Sequence, residues 1–208
     1  MAYRLHFLAA AARALDCSVF ILSYRGYGAS GGRPSEAGLQ LDAAAALDAL
    51  LARPEVAPGR LVLMGRSLGG AVAAYAATQY RGRFAALVLE NTFTSIAAAA
   101  PGQLPFLRAV LGPGRPGNFL LRNKWATDAR VAELADVPVL FLSSSADTML
   151  APAMMRELFA VHGRAPWEWA LLKGGGHLDA YHTHAGAYWP ALRGFVERAT
   201  ADGGGEAR

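Results

Sequence analysis

The sequence predicts an α/β fold in which a mostly parallel sheet is covered by helices on both faces. Short apolar runs rich in β-forming residues alternate with helical stretches along the chain, as they do in such folds. Hydrophobic residues make up 53% of the chain, which suits strands buried on both faces. Because 208 residues suffice for one sizeable core but not for two, we expect residues 1–200 to form a single domain.

The predicted elements follow in order from these runs. The first strand is the apolar stretch SVFILSY, and the second is the apolar run that leads into Gly65. The predicted strands are Val19–Tyr24, Leu61–Met64, Ala86–Glu90, Val139–Ser143 and Glu168–Leu172. The predicted helices between or beside them are Tyr3–Leu15, Glu36–Ala52, Leu68–Tyr80, Pro152–Val161 and Ala185–Thr200. Composition predicts that residues 201–208, ADGGGEAR, are disordered.

The alternation of strands and helices is interrupted over residues 91–130. This region has four prolines, four glycines and no clear strand, although it is rich in large apolar residues. Those residues include Phe93, Leu104, Phe106, Leu107, Leu111, Phe119 and Trp125. A loop of this length inside a domain usually serves a function. We expect a helical insertion that forms a small lid over the carboxyl edge of the sheet.

Charge and cysteine content favour some classes of protein over others. The formal net charge is +4, and the arginines responsible are scattered among acids, so nucleic-acid binding is disfavoured. No apolar run approaches the roughly 20 residues that cross a bilayer, so the chain as given is expected to be soluble. The lone Cys17 excludes an internal disulfide, and its place before an apolar run predicts a buried structural thiol.

The stretch LVLMGRSLGGAVAAYAA places Ser67 at an abrupt junction between a strand and a helix. A residue at such a corner is forced into a strained backbone conformation, and Gly65 and Gly69 leave room for the neighbouring backbone. The hydroxyl of Ser67 then projects above the sheet, beside the unpaired N–H groups of the helix that begins at Leu68. A random G-x-S-x-G is expected in about one such chain in ten, so the pattern is informative mainly through its context.

Residues just after each strand are candidate site residues, because ligands of open α/β sheets bind beyond the carboxyl ends of the strands. Asp147 lies four residues after the strand ending at Ser143, and His177 follows a strand and three glycines. A serine becomes a nucleophile when a histidine takes its proton and a carboxylate orients that histidine. Ser67, His177 and Asp147 are therefore the predicted catalytic residues. A turn role for the aspartate and an exposed-loop role for the histidine are the alternatives.

The stretch HLDAYHTH offers alternatives to His177. His182 and His184 are rival bases, but they lie at the start of the last helix, farther from the strand end. His177, Asp179, His182 and His184 also have the chemistry of metal ligands. Because no standard ligand spacing and no second ligand group appear, we expect neither a metal nor another cofactor.

Five motifs occur along the chain: SYRGYGASGGRPSEAGLQLDAAAALDAL, LMGRSLGGAVA, LENTFTSI, VPVLFLSSSADTMLAPAMM and GGGH. Together they resemble the alpha/beta hydrolase superfamily, most closely the bud-emergence-type group that includes alpha/beta hydrolase domain-containing protein 13. The resemblance implies that Ser67, Asp147 and His177 are nucleophile, acid and base, and that the N–H of Leu68 is one donor of the oxyanion hole. The GASGGRPSE segment is similar to related depalmitoylating hydrolases, which implies acyl thioesters as a substrate class.

The resemblance also implies an alpha/beta hydrolase fold that is truncated at its N-terminus. Members of the family have three further strands before Val19–Tyr24, and an HG-containing loop that supplies the second oxyanion donor. One of those strands lies between Val19–Tyr24 and Leu61–Met64, so both are expected to stay unpaired unless they close on each other. Family members commonly carry a membrane-anchoring segment at the N-terminus, which implies membrane association through a missing segment.

The sequence thus predicts a serine hydrolase that cleaves an ester or thioester of a small-molecule or lipid-like acyl substrate. Tyr27, Asn91 and Phe93 are predicted to shape the acyl site, with packing under the lid as the alternative for each. Arg25 and Arg66 flank the catalytic edge, where they either steer an anionic substrate or form salt bridges. The missing loop leaves a second hypothesis, a catalytically weak or inactive interaction protein, and a peptidase is a third.

Overall fold

The computed structural model describes residues 2–162 and 167–201. Within these residues a parallel sheet occupies the centre, with its strands in the order β1-β2-β3-β4. The strands are β1 (Val62–Arg66), β2 (Ala86–Glu90), β3 (Val139–Ser144) and β4 (Trp167–Leu172). Because every neighbouring pair is parallel, the carboxyl ends of the strands meet at one edge of the sheet. The predicted α/β fold with a parallel sheet is confirmed.

The helices agree with the prediction to within one residue at each end for the five that were predicted. They are α1 (Ala2–Leu15), α2 (Glu36–Leu51), α3 (Leu68–Gln79), α4 (Ile96–Gln103), α5 (Thr127–Glu133), α6 (Pro152–His162), α7 (Ala180–Thr183) and α8 (Ala185–Ala201). Short 3-10 helices lie at Pro58–Arg60, Pro105–Ala109 and Pro116–Leu120. Ala201 ends α8, and residues 202–208 of the predicted disordered tail lie outside the described residues.

The core lies on both faces of the sheet because successive side chains of each strand point to opposite sides. In β2, Leu87 and Leu89 face a cluster that includes residues of α3 and α6. Ala86 and Val88 face a second cluster that includes residues of α8. All of these strand residues are fully buried. Burial of a leucine or valine side chain stabilises the fold by about 1.5–3 kcal/mol, so the central strands are the most stable part of the sheet.

The predicted strand Val19–Tyr24 is wrong, because this segment forms no strand in the structure. A strand needs a neighbour to satisfy its backbone, and β1 pairs only with β2 among the described residues. The segment does not close on β1, so Phe20 is 59% exposed and Val19 is 38% exposed. One edge of β1 therefore stays open.

Cys17 is exposed rather than buried, so the predicted structural thiol is also wrong. It comes just after the end of α1 and before the unpaired segment. The burial expected for this thiol depended on a strand that does not form.

Residues 96–133, between β2 and β3, contain four short helices joined by loops. Backbone hydrogen bonds close the base of this insertion, from the Ile96 N–H to the Lys124 carbonyl (2.9 Å) and from the Thr127 N–H to the Thr94 carbonyl (2.8 Å). The carboxylate of Glu36, at the start of α2, accepts hydrogen bonds from the backbone N–H groups of Lys124 and Trp125. The insertion is thus anchored to the sheet and to α2.

The raised pKa of Tyr24 predicts how the free energy of unfolding changes at alkaline pH. Burial, followed by the nearby Asp42 and Tyr27, raises the pKa of Tyr24 to about 12. The unfolded chain releases this proton near pH 10 and the folded chain does not, so the stabilisation is complete below pH 10 and is lost as the pH rises to about 12. When the pH rises from about 8 to about 11, we expect the free energy of unfolding to fall by about 1 kcal/mol less in Tyr24→Phe than in the wild type. Urea unfolding of both chains at the two pH values measures this difference, and equal losses would contradict the prediction.

Candidate active site

Ser67 occupies a strained corner between β1 and α3. Its backbone has φ 55° and ψ −126°, a conformation that residues with side chains rarely adopt and that costs about 1–3 kcal/mol. Two contacts hold it: the Ser67 N–H donates to the Glu90 carbonyl (3.0 Å), and the Thr92 hydroxyl donates to the Ser67 carbonyl (2.7 Å). The end of β2 therefore fixes the corner at the carboxyl edge of the sheet.

Close packing at the corner explains its glycines. A Cβ atom on Gly65 would lie 2.0 Å from the carbonyl oxygen of Gly69, so the close approach of α3 to β1 requires glycine there. A Cβ atom on Gly70 would lie 2.6 Å from the side chain of Thr92. A Cβ atom on Gly69 would meet only the Tyr24 hydroxyl, at 3.8 Å. Gly65 therefore leaves room for neighbouring backbone, as predicted. On the helix side of the corner, the glycine that close packing requires is Gly70 rather than the predicted Gly69.

The structure brings Asp147 and His177 together from the loops that follow β3 and β4. Oδ2 of Asp147 lies 2.6 Å from Nδ1 of His177, and both side chains are buried. Oδ1 of the same carboxylate accepts hydrogen bonds from the N–H groups of Met149 (2.8 Å) and Leu150 (2.9 Å). An ionised Asp147 therefore selects the tautomer with the proton on Nδ1, which leaves Nε2 of His177 as a proton acceptor.

Asn91 links the end of β2 to the loop that carries His177. Its Nδ2 donates to the carbonyls of His177 (3.1 Å) and Gly176 (3.3 Å) and to the Ser144 hydroxyl (3.0 Å). Its Oδ1 accepts from the Ser144 N–H (2.8 Å), and the residue is only 2% exposed. Because the amide is fully used within the protein, its position favours a structural link to the histidine loop over the predicted substrate contact.

Arg66, immediately before Ser67, makes a second link to the same loop. Its Nη1 donates to the Leu178 carbonyl (3.1 Å), and its Nε lies 2.9 Å from Oε1 of the fully buried Glu90. The hydroxyl of Tyr188 donates to Oε2 of Glu90 (2.9 Å). Of the two roles predicted for Arg66, the structure shows the salt bridge. Sequence reasoning missed Glu90 and Tyr188, although a glutamate that ends an apolar strand signals a buried partner.

The charges of this cluster are set by burial and by one another. Burial alone would lower the pKa of the Arg66 guanidinium, but the adjacent Glu90 carboxylate opposes this effect and the pKa is raised. Burial, reinforced by the charge of Glu90, raises the pKa of Tyr188 well above its ordinary value. Arg66 therefore stays protonated and Tyr188 stays neutral at physiological pH. The rings of Phe7 and Tyr181 lie 5.2 and 5.7 Å from the guanidinium, which adds cation–π contacts.

The remaining predicted residues occupy different environments. Leu68 is the first residue of α3, so its N–H has no acceptor within the helix. Tyr27 is 46% exposed, whereas Phe93 is buried in a cluster with residues of α2 and α3. Arg25 forms a salt bridge with Asp42 (2.8 Å). The substrate roles of Tyr27 and Phe93 stay predictions.

No direct hydrogen bond joins the Ser67 hydroxyl to His177 within the described residues. The rival His182 lies in α7, and His184 ends that helix with its Nδ1 2.8 Å from the Thr183 hydroxyl. Among the residues described, no cluster of three His, Cys, Asp or Glu side chains is arranged to hold a metal ion. In the same part of the chain, no helix is both long enough and apolar enough to cross a bilayer.

A family model described as "Serine aminopeptidase, S33" matches residues 2–128 of the chain. The chain belongs to this family of alpha/beta hydrolases. It is 40% identical over 205 residues to alpha/beta hydrolase domain-containing protein WAV2 of Arabidopsis thaliana, covering 95% of this chain and 66% of the relative. It is 39% identical over 152 residues to protein bem46 of Schizosaccharomyces pombe, covering 73% of this chain and 49% of the relative. The predicted resemblance to the bud-emergence-type group is confirmed.

The chain of this alpha/beta hydrolase spans about half to two thirds of the length of these curated relatives. Among solved structures, it is similar to an esterase of Pyrococcus furiosus, with a TM-score of 0.66 and 14% sequence identity over 86% of this chain and 68% of that one. At that identity the likeness shows the fold alone.

The buried charge cluster predicts a large loss of stability when Arg66 is removed. Arg66→Met leaves the Glu90 carboxylate buried without its counter-ion, and we expect the free energy of unfolding to fall by about 3–5 kcal/mol. The double variant Arg66→Met/Glu90→Leu removes both charges and is expected to recover part of this loss. Denaturant unfolding measures both changes. Arg25→Met, which breaks the more exposed pair with Asp42, is the matched control and is expected to cost far less. An equal cost for the two single variants would contradict the prediction.

Proposed function

We propose that the chain is a serine hydrolase that cleaves an ester or thioester of an acyl substrate through Ser67, His177 and Asp147. The main support is the 2.6 Å contact between Asp147 and His177 at the sheet edge where Ser67 occupies its strained corner. Asn91 and Arg66 connect this corner to the histidine loop. The absence of a direct bond from Ser67 to His177 is common in ligand-free sites, where such contacts tighten when substrate binds.

In the proposed mechanism, Nε2 of His177 takes the proton of the Ser67 hydroxyl as its oxygen attacks the acyl carbonyl carbon. Asp147 stabilises the imidazolium that forms, and the N–H of Leu68 donates to the developing oxyanion. The tetrahedral intermediate then collapses, and His177 gives its proton to the departing alcohol or thiol. Water deprotonated by His177 attacks the acyl-enzyme, which releases the acid and returns the proton to Ser67.

Labelling with a fluorophosphonate tests whether Ser67 is an activated nucleophile. We expect the wild-type chain to be labelled and Ser67→Ala to remain unlabelled, because the reagent reacts with the serine oxygen. Asp147→Asn is expected to slow ester hydrolysis by about 10³–10⁴-fold, since the histidine loses its orienting carboxylate. Labelling is read by mass spectrometry, with circular dichroism as the check on folding.

A folded but unlabelled wild-type chain would reject the hydrolase and favour the second candidate, an interaction protein with an inactive site. The description of the matching family favours a peptidase instead. Hydrolysis of aminoacyl amides in preference to acyl esters and thioesters would identify that activity.

Asn91 is predicted to position His177 without contacting substrate. We expect Asn91→Ala to lower kcat by about 10- to 100-fold with little change in KM, because the histidine loop loses the donors to its carbonyls. Steady-state kinetics on a short-chain ester separates the two parameters. Asn123→Ala, whose side chain accepts from the Glu36 N–H far from the histidine loop, is the control and is expected to leave both unchanged. A rise in KM at constant kcat would instead support the predicted substrate contact.

A further inference from the structure

Large apolar side chains are exposed together in one short stretch of the insertion. They are Leu104, Phe106, Val110, Phe119 and Leu120, which we call the lid surface. Phe106 and Phe119 are 76% and 77% exposed. Single exposed apolar residues are normal on protein surfaces, but a group of this size in 17 residues indicates an interaction site.

The lid surface is part of a tightly packed unit. The Gly117 N–H donates to the Val110 carbonyl (3.1 Å), and a Cβ atom on Gly117 would lie 2.2 Å from the Val110 side chain. The side chain of Asn118 bonds both backbone groups of Gly112, at 3.2 and 2.7 Å. The two 3-10 helices that bear the exposed side chains are thus held against each other.

The net charge of the chain is concentrated in the same region. Between Glu90 and Asp128 the sequence has no acidic residue and has four cations, all of them exposed. They are Arg108, Arg115, Arg122 and Lys124. The chain has 20 Lys and Arg in all, so the 16 cations elsewhere are balanced by its 16 acids. The segment of sequence that contains the lid surface therefore carries a net charge of +4, whereas the charges of the rest of the chain balance.

The lid surface borders the candidate active site. The side chain of Gln103, at the end of α4, donates to the carbonyl of Met149, two residues after Asp147. Met149 is 47% exposed, and Leu178, next to His177, is 51% exposed. Exposed apolar side chains thus occur both on the lid surface and on the two loops of the candidate site.

We propose that the lid surface docks on a lipid bilayer that carries anionic headgroups. The four cations attract the headgroups, and the apolar side chains enter the boundary between headgroups and acyl chains. The excess of positive charge favours this occupant over a second copy of the chain, because two copies of the surface would repel each other. If the site acts on acyl substrates as proposed, docking would bring it to lipids; the docking itself does not depend on hydrolysis.

Vesicle flotation with the purified Ser67→Ala chain tests the proposal, because that variant cannot consume the lipids and its binding is separate from hydrolysis. We expect binding to phosphatidylcholine vesicles that contain about 30% phosphatidylserine, and at least tenfold weaker binding to phosphatidylcholine alone. Raising the salt from about 0.05 M to about 0.5 M is expected to weaken binding to the anionic vesicles. Equal binding to the two kinds of vesicle would overturn the proposal.

Substitutions assign the binding to the lid surface. We expect Arg108→Gln and Arg115→Gln to weaken binding about fivefold each, and Phe106→Ser/Phe119→Ser to abolish it. The matched controls are Leu41→Ser, which is 64% exposed on α2, and Arg60→Gln/Arg83→Gln at the amino edge of the sheet.

Controls that lose binding as much as the lid variants would overturn the proposal. The proposal would also be overturned if the chain did not bind vesicles but associated with itself, and if Phe106→Ser/Phe119→Ser removed that self-association. Circular dichroism of every variant separates these outcomes from loss of folding.

Discussion

The buried ion pair between Arg66 and Glu90 is the contact on which the candidate site depends. It joins the ends of β1 and β2, and through Leu178 it reaches the loop that carries His177. Removing two charges from water is costly, and here the cost is offset by their attraction and by the bond from Tyr188. The pair therefore specifies one arrangement of the sheet edge more than it adds to net stability.

Two of the four described non-glycine residues with a positive φ angle lie at the same edge. Ser67 and Asn91 follow neighbouring strands, and both have positive φ angles, of 55° and 43°. The fully buried leucines of β2 and β3 stabilise the fold by more than these conformations cost. The rigid parallel sheet keeps Ser67 and Asn91 in strained backbone conformations that a flexible loop would relax. This explains why the candidate site residues lie at strand ends rather than in the insertion.

The positions of the candidate site residues could be predicted because they depend on the order of the strands along the chain. In a parallel sheet, residues after successive strands converge, so Ser67, Asp147 and His177 could be named from strand ends alone. The hydrogen-bond partners of Asn91 could not be predicted, because an amide has the same hydrogen-bonding groups whether it faces a substrate or a backbone carbonyl. The prediction of a strand at Val19–Tyr24 was wrong because a strand forms only when a neighbouring strand pairs with it, and the local sequence does not show whether such a neighbour is present. The four cations near the lid surface can be read from the sequence, but the exposure of Phe106 and Phe119, which makes the segment a candidate docking surface, is visible only in the structure.

The open edge of β1 bears on how the chain behaves at high concentration. Within the described residues no strand pairs with β1 on the side away from β2, so its N–H and C=O groups there can form ladder hydrogen bonds with an extended segment of a neighbouring molecule. The exposed Phe20 lies in the segment before β1 that forms no strand. Slow growth of intermolecular β-structure is therefore the expected route of precipitation during storage. A lysine or proline introduced along that edge would block the route without changing the candidate active site.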